Sequence, residues 1–300
     1  MAIETTAGNT TLLQSQVANL LVQPLAQEST FLAAGPKIFD TADQLRIPRI
    51  ASGVSAGFVG EGVQITDGDV AFDEVTLLPS TLKSLKVLVR FSNEMARQSV
   101  IALDATLKST LVTNVGEALD AALWDGAGTD DTIKGILQQT GIATGTLDLT
   151  DADSLIDGMA LAQGNKVKPS HWVMTSSTFA TLRKLKIADS VTVGSPSDGL
   201  THDYKQYLFD PSTIQNGTAF QVFGLPVIIT DNIPDVSGSP DKARVGLVDF
   251  SHVAVARDVN AEVKILDQTW GDYDSIGIRV VTRYDVGLLQ PKAVTLLTEE

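Results

Sequence analysis

Hydrophobic and polar residues alternate with a period of two between residues 84 and 91. One set of positions is apolar and the other is mostly polar: Leu85, Val87, Val89 and Phe91 against Ser84, Lys86, Leu88 and Arg90. This period is typical of a strand with one buried face. We therefore predict a half-buried strand in this segment.

A glycine-rich polar stretch precedes this strand within residues 46–95. Its glycines are Gly53, Gly57, Gly60, Gly62 and Gly68, and extended segments flank it. Because glycine accepts the backbone conformations of turns and bends, we predict a projecting hairpin whose return arm is the strand at 84–91. Such a hairpin cannot bury its own surface, so we expect it to lie against a neighbouring molecule.

The strongest helical pattern covers residues 92–125. Ser92 is the predicted N-cap, and Glu94 lies in the first turn, where an acid is favoured. Apolar residues then recur every three or four positions: Leu103, Leu107, Leu111, Val115, Leu119 and Ala122. Gly126 is a natural stop. A helix of this length would extend about 50 Å, which favours a long spine over a compact packing unit.

Residues 150–260 alternate between helical and extended patterns. Thr150 and Asp153 resemble a capping box for a helix that carries Leu155, Met159 and Leu161. Residues 171–175 predict a buried strand, followed by a helix through about 185 that Ser176 and Ser177 cap. Residues 220–230 predict a strand interrupted at Gly224 and Pro226, and residues 188–203 and 231–242 predict loops.

The two ends of the chain have different characters. Residues 1–36 contain one short amphipathic segment among Thr, Gln, Asn and Ala, which is typical of an arm that becomes ordered on another surface. The last fifty residues predict strands around 253–255, 263–265 and 278–284, with a further single strand in 283–298.

Composition narrows the function. The chain has 43% hydrophobic and 19% charged residues and no cysteine, so it can fill a core but has no disulfide or thiolate chemistry. A formal charge of −14 argues against general affinity for nucleic-acid phosphates. No apolar run is long enough to cross a membrane, and no secretion signal is evident, which favours a soluble protein made in the cytoplasm.

Three motifs invite chemical hypotheses, and each has a simpler structural interpretation. The run GFVGEG at 57–62 lacks the Lys-Ser/Thr of a phosphate loop. The run DGAGTDD at 125–131 lacks the terminal glutamate of a calcium loop. His171, His202 and His252 are the only histidines, and no hydrolase motif surrounds them. We therefore predict no catalytic residue, cofactor or metal site, and no enzymatic activity.

Five segments, in their order and spacing, carry a resemblance to a known family. They are FVGEG at 58–62, FDEVTLLPSTLKSLKVLVRFSNEM at 72–95, ALWDGAGTDDTIKGIL at 122–137, VFGLPVIITDNIP at 222–234 and RVVTRYDVGLLQPKAVTLL at 279–297. From about residue 36 to 297 the chain resembles the major capsid proteins of tailed bacteriophages, the Hong Kong ninety-seven type, whose fold encapsulin shells share.

The resemblance implies an α+β fold with four parts. Residues 1–36 correspond to an N-terminal arm, and residues 37–91 to an extended β-hairpin loop with its flanking strands. Residues 92–149 and 246–300 correspond to a peripheral domain with the long spine helix, and residues 150–245 to an α/β axial domain. The implied function is self-assembly into pentamers and hexamers of an icosahedral head that encloses double-stranded DNA, so the expected location is the virion.

The resemblance also implies partners. The chain itself is the first, and portal, scaffold and decoration proteins are further candidates. Because only about 36 residues precede the matching part, we expect a separate scaffold protein or none. No lysine lies between Arg49 and Lys83, so we do not expect the lysine cross-link that some members form at the tip of this loop.

The loop supplies the predicted subunit interface. We expect its apolar residues to be buried between subunits and its acids to meet basic residues of a neighbour. The predicted set is Phe58, Val59, Glu61, Phe72, Asp73, Val75, Arg90 and Arg97. Three alternatives remain open at this stage: an encapsulin-type compartment that holds a cargo enzyme, an α/β hydrolase that uses one of the histidines, and a monomeric binding module.

Overall fold

A computed structural model describes most of the chain. The described residues are 29–52, 57–62, 64, 71–78, 84–92, 102–129, 132–185, 220–238, 241–258 and 262–299. The predicted amphipathic segment of the arm and the loop at 188–203 lie outside these residues.

The described elements alternate between helices and strands. The helices are α1 (Thr30–Ala33), α2 (Ala102–Asp125), α3 (Asp153–Gly164) and α4 (Ser176–Arg183). The strands are β1 (Lys37–Asp40), β2 (Leu45–Ser52), β3 (Ala71–Leu77), β4 (Leu85–Ser92), β5 (Ala143–Leu147), β6 (His171–Met174), β7 (Gln221–Val222), β8 (Leu225–Ile229), β9 (Arg244–Val248), β10 (Val253–Arg257), β11 (Glu262–Trp270), β12 (Ser275–Thr282), β13 (Tyr284–Leu288) and β14 (Val294–Glu299).

These strands form four sheets. A six-stranded mixed sheet has the order β5-β14-β9-β6-β8-β7, and two three-stranded sheets have the orders β1-β10-β13 and β11-β12-β4. Strands β2 and β3 form a two-stranded hairpin. Helix α3 packs on the six-stranded sheet, where Leu297 of β14 lies against the backbone of Gly158. The mixture of helices with largely antiparallel sheets confirms the α+β prediction.

The six-stranded sheet draws on both sides of the predicted domain boundaries. Strands β5 and β14 come from the segments assigned to the peripheral domain, and β6, β7 and β8 come from the axial segment. The division of the chain into domains stays a prediction.

Helix α2 is the spine of the largest core. Its described part has 24 residues, which is about 36 Å at 1.5 Å per residue. The predicted positions Leu111, Val115 and Leu119 are buried, as are Leu123 and Trp124 at its end. The prediction that Ser92 caps this helix is not met in the described residues, because Ser92 ends strand β4 and pairs with Ser275.

The predicted alternation at 84–91 is confirmed. Leu85, Val87 and Val89 face the core that α2 covers, whereas Lys86, Leu88 and Arg90 are exposed. However, this strand is not the return arm of the hairpin. It pairs with β12, and the return arm is Ala71–Leu77, which pairs with Leu45–Ser52. A period of two identifies a strand, but it does not identify the strand that pairs with it. The prediction was wrong because it assigned the pairing partner without evidence of pairing.

Four smaller predictions from the sequence need correction, and each difference has a local cause. No capping box forms before α3, because Thr150 donates to Asp148 Oδ1 at 2.8 Å from its N–H and 2.6 Å from its hydroxyl. Thr175, not Ser176 or Ser177, caps α4.

The predicted strand breaks also differ from the structure. Pro226 lies inside β8, opposite Gln221, so the break falls at Phe223–Gly224 alone. The predicted single strand at 283–298 is two strands, β13 and β14, joined by a 3-10 turn at Pro291–Ala293.

A buried carboxylate joins three distant segments at the root of the arm. Asp120 of α2 is 2% exposed. Its oxygens accept hydrogen bonds from Ser29 Oγ at 2.6 Å, Thr30 Oγ1 at 2.6 Å, Phe31 N at 2.8 Å and Asn232 Nδ2 at 2.9 Å. Beside it, the rings of Phe31 and Trp124 meet edge to face at 4.8 Å. Residues 29–31 are therefore held at a fixed point on the spine helix.

The base of the hairpin docks onto β10 and β13. Leu77 and Leu78 are 1% and 3% exposed and pack with Ala254 and Ala256. Leu78 has a φ of 50°, and its N–H donates to Asp285 Oδ2 at 2.8 Å. Leu77 and Val75 also lie directly over Gly287, where a methyl group would come within 2.7 and 2.9 Å of them. Because Leu77 and Val75 pack closely on the Gly287 backbone, they fix the direction in which the hairpin projects from the subunit.

Replacing Gly287 by Ala should loosen this base. The added methyl group overlaps Leu77 and Val75, and overpacking of this kind costs about 1–3 kcal/mol of unfolding free energy. Urea unfolding and limited proteolysis of unassembled subunits would measure the effect. Gly164→Ala is the matched control, because nothing lies within 4 Å of the added atom and its φ is not positive. Equal stability of the two variants would contradict the proposed packing.

Replacing Asp120 by Ala should destabilise the root of the arm. Several buried donors lose their acceptor, and we expect a loss of about 3 kcal/mol after partial recovery by water. Chemical unfolding followed by tryptophan fluorescence measures it, because Trp124 is buried beside the site. Glu117→Ala, at an exposed position one turn earlier, is the control and should change stability by less than about 0.5 kcal/mol. A similar small change for Asp120→Ala would show that the four hydrogen bonds contribute little.

Candidate assembly surfaces

The hairpin leaves most of its side chains exposed. Within that part of the chain, β2 and β3 pair with each other and with no other strand. An isolated two-stranded hairpin is marginally stable in water. The base of the hairpin packs on β10 and β13. The rest of the hairpin needs another surface to cover it.

The register assigns the hairpin side chains to two faces. On the inner face, Leu45 lies opposite Leu77 and Ile47 opposite Val75, and all four contact the cluster at the hairpin base. On the outer face the opposed pairs are Arg46–Thr76, Pro48–Glu74 and Ile50–Phe72. Ile50 is 64% and Phe72 is 77% exposed, so an apolar pair lies uncovered on the outer face.

Ion pairs across the hairpin strengthen its register. Arg49 Nε donates to Asp73 Oδ2 at 3.0 Å, and this hydrogen bond, with a second from the backbone N–H of Glu74, lowers the pKa of the Asp73 carboxyl below its usual value. Arg46 and Glu74 lie 3.8 Å apart on the outer face. Because exposed pairs contribute little to stability, their main effect is to align the two strands.

The segment between the strands carries further apolar surface. Phe58 is fully exposed at 112%, Val59 is 41% exposed, and Glu61 is exposed beside them. Gly62 has a φ of 81°, which a turn requires and which favours glycine. Two exposed apolar residues and an acid therefore lie at this turn.

A second surface is the outward face of the β11-β12-β4 sheet. Directly opposed residues share a face, which places Leu88, Arg279 and Lys264 in one row across the three strands. Lys86 and Arg90 flank this row on β4, with Val281 and Gly277 as their partners on β12. We call Lys86, Arg90, Lys264 and Arg279 the cationic face. Arg90 also lies over the Tyr273 ring, 4.8 Å from its centroid.

The eight predicted interface residues divide into three groups. Phe58, Val59, Glu61 and Phe72 are exposed on the hairpin, and Arg90 is exposed on the cationic face. Asp73 and Val75 already have partners in their own chain, namely Arg49 and the cluster at the hairpin base. Arg97 lies outside the described residues. The role of these residues in an interface stays a prediction.

Sequence reasoning missed several residues of these surfaces. Ile50 becomes notable only through its opposed partner Phe72, because the pairing register was not known. Lys264 and Arg279 join Lys86 through strand pairing across nearly 200 residues of sequence. Only the alternating pattern of β4 gave a signal for this face.

Two of the histidines and an aspartate of the DGAGTDD run have contacts within the described chain. His171 Nδ1 lies 2.9 Å from Ser170 Oγ, its ring packs on Phe250 at 5.3 Å, and burial lowers the pKa of the imidazole. His252 lies 3.9 Å from Asp249, and His202 is outside the described residues. Asp125 pairs with Arg244 at 2.7 Å instead of facing an open loop. Among the described residues, no group of three or more acids or histidines is suited to hold a metal ion.

Two further features bear on other functions. A cleft of about 360 Å³ lies beside the hairpin base, between residues 75–78 and 284–287, and no histidine lines it. None of the helices in the described ranges is long and apolar enough to cross a membrane.

Solved structures from phages and from a phage-like particle share this architecture. The chain superposes on the capsid of a native GTA particle with a TM-score of 0.70, at 17% identity and with 90% of each chain covered. It superposes on a chain of Microbacterium phage Oxtober96 with a TM-score of 0.65, at 15% identity and with 91% of each chain covered. At this level of identity the likeness shows the fold, and it confirms the expected capsid fold.

Two sequence comparisons agree with the fold. The chain is 24% identical to the major capsid protein of Klebsiella oxytoca phage phiKO2 over an alignment of 324 positions, which covers 99% of this chain and 70% of that protein. The model of the Phage capsid family matches residues 9–298. Because this match covers nearly the whole chain, the protein belongs to the Phage capsid family.

Proposed function

We propose that this chain is the major capsid protein of a tailed bacteriophage and assembles with itself into pentamers and hexamers of an icosahedral head. The observation that carries the proposal is the uncovered hairpin, with Ile50 and Phe72 exposed side by side on its outer face. An exposed apolar pair on a projecting element marks surface that a partner covers, and a shell subunit needs surface that another copy covers.

The hairpin suits an assembly whose single contacts are weak. Burial of an exposed Phe or Ile side chain contributes about 1.5–3 kcal/mol, so covering this pair contributes about 4 kcal/mol. Even before the entropy cost of association is subtracted, a free energy of that size corresponds to a dissociation constant of only about 1 mM. Two subunits would therefore separate readily, while a closed ring in which each hairpin is covered gains stability from every contact at once.

The negative net charge of the chain is suited to a container for DNA. A chain of formal charge −14 repels phosphate on average, so the genome inside such a shell would slide past the wall instead of binding to it. We propose packaged double-stranded DNA as the content and the virion as the location, with assembly in the host cytoplasm. Portal, scaffold and decoration proteins would be further partners, and no enzymatic step is required.

Replacing Phe72 by Ala or Asp should reduce shell formation without unfolding the subunit. The side chain is mostly exposed in the subunit, so we expect the unfolding free energy to change by less than about 0.5 kcal/mol. Loss of its burial between subunits should lower the yield of closed shells, and Asp should be worse than Ala because it also adds charge. Negative-stain microscopy and sedimentation would count the shells.

The matched control is Phe72→Leu, which keeps an apolar side chain and should retain most of the shell yield. Normal yields from both Ala and Asp variants would remove the hairpin contact from the proposal. If the unmodified protein forms no closed particles, alone or with its phage partners, the proposed function itself is wrong.

A further inference from the structure

Two exposed surfaces of the described chain carry opposite charge, and one of them is the cationic face. It holds four of the 22 Lys and Arg residues in a chain of formal charge −14. Among its paired positions, Glu262 is the one acid. A surface whose sign is opposite to that of the whole molecule indicates a partner of the other sign.

The centre of the cationic face is apolar. Leu88 is 52% exposed between Lys86 and Arg90, and the half-buried residues Leu266 and Val281 lie on the same face. A nucleic-acid backbone offers no apolar group to cover Leu88. A protein surface that carries both acids and exposed apolar side chains matches the charge and the apolar centre together.

The outer side of helix α3 has that composition. Residues 141–165, which include α3, contain four aspartates and no Lys, Arg or His. Two apolar side chains of α3 are uncovered, since Ile156 is 49% and Leu161 is 37% exposed. We call the exposed residues Asp153, Ile156, Asp157, Ala160 and Leu161 the acidic helix face.

The packing of α3 on the six-stranded sheet turns this face outward. The buried residues of the helix are Leu155, Gly158 and Ala162, which follow the spacing of three and four that places residues on one side of a helix. Gly158 lets the helix approach β14 closely, because an added methyl group would lie 2.8 Å from the Leu297 side chain. The acidic helix face lies on the other side of the helix and is held there by this close contact.

Neither face is matched within one copy. Lys86 and Lys264 form no ion pair with another described residue, and neither do Asp153 and Asp157. The two acids of strand β3, in contrast, already pair with arginines of their own chain. Because the cationic face and the acidic helix face are both exposed in the same folded chain, they can cover each other only between copies.

We propose that the cationic face of one copy receives the acidic helix face of a second copy. This inference rests on the proposed function and adds a contact in which the hairpin takes no part. Ile156 and Leu161 of the second copy would cover Leu88, while the aspartates of its α3 lie among the cations. Charge pairing would guide the approach of the two copies, and apolar burial would hold the contact.

The difference between the two faces determines the kind of assembly. Each copy offers one face and accepts the other, so the contact is head-to-tail instead of self-complementary. Head-to-tail contacts close into rings when the rotation between copies allows it. Such a contact therefore suits the pentamers and hexamers of the proposed function, which a two-fold contact alone would not build.

Charge reversal tests the pairing. Lys86→Glu with Lys264→Glu should give about tenfold fewer closed shells by negative-stain microscopy, because like charges would oppose each other across the contact. Asp153→Lys with Asp157→Lys should have the same effect. Combining all four substitutions in one chain should restore most of the shells, because the pairing is recreated with its signs exchanged.

Two control variants make the same changes of charge at exposed positions elsewhere. They are Lys168→Glu with Lys292→Glu, and Asp43→Lys with Asp235→Lys, and both should assemble normally. Urea unfolding of unassembled subunits checks that each variant is folded. This check matters for Asp153, which lies in the first turn of α3, where a lysine is unfavourable. If that variant unfolds, Asp157→Lys alone takes its place.

The absence of cysteine permits a second, independent test. A chain with Leu88→Cys and Ile156→Cys, joined by a short bismaleimide in assembled particles, should give a ladder of linked subunits on a denaturing gel. The control chain with Leu88→Cys and Val236→Cys uses an apolar residue that is 42% exposed elsewhere and should give none. This test does not depend on how the charge variants fold.

The outcomes separate the two proposals. If the unmodified protein forms no shells, the proposed function and this inference fall together. If it forms shells, normal assembly of the Lys86/Lys264 variant overturns the inference alone, and so does the absence of a ladder from the Leu88/Ile156 pair. A ladder from Leu88→Cys with Phe58→Cys in its place would assign the cationic face to the hairpin. Loss of DNA-fragment binding by the Lys86/Lys264 subunit, with shell yield intact, would assign it to nucleic acid.

Discussion

A two-stranded hairpin exposes two faces, and the described residues of this chain cover only the base of one of them. Leu77 and Leu78 are buried against β10, and the backbone of Gly287 leaves room for the side chains above it. Beyond that base, Ile50 and Phe72 remain in water. The rest of the fold can be understood as a support that fixes where this incomplete element projects.

Buried contacts hold this support in one arrangement. Helix α2 covers the inner face of the β11-β12-β4 sheet, and its Asp120 ties residues 29–31 and Asn232 to one point. Buried, fully hydrogen-bonded groups of this kind specify one arrangement because any other leaves donors unpaired. The proposed contacts between copies would use exposed side chains, whose pairing is weak and reversible. Rigid subunits with weak contacts can correct errors while a closed shell forms.

Local patterns in the sequence predicted local structure well. The period of two at 85–89 and the apolar spacing at 111–119 each depend on neighbours a few residues away, so both were readable. Strand pairing could not be predicted from the sequence, because long-range packing determines the hairpin partner of β2 and the sheet partner of β4. Asp120 shows the same limit, since its donors come from positions about 90 and 112 residues distant. Phe58 and Phe72 could be named as exposed candidates, but the cationic face becomes visible only through the register of three strands.

The net charge constrains how copies of this chain can meet. Copies that each carry −14 repel one another, and this long-range repulsion is screened beyond about 10 Å at 0.1 M salt. A proposed contact through apolar side chains such as Ile50 and Phe72 has to overcome the residual repulsion at close range. Because apolar burial does not depend on charge, added salt weakens the general repulsion without weakening the apolar part of such a contact.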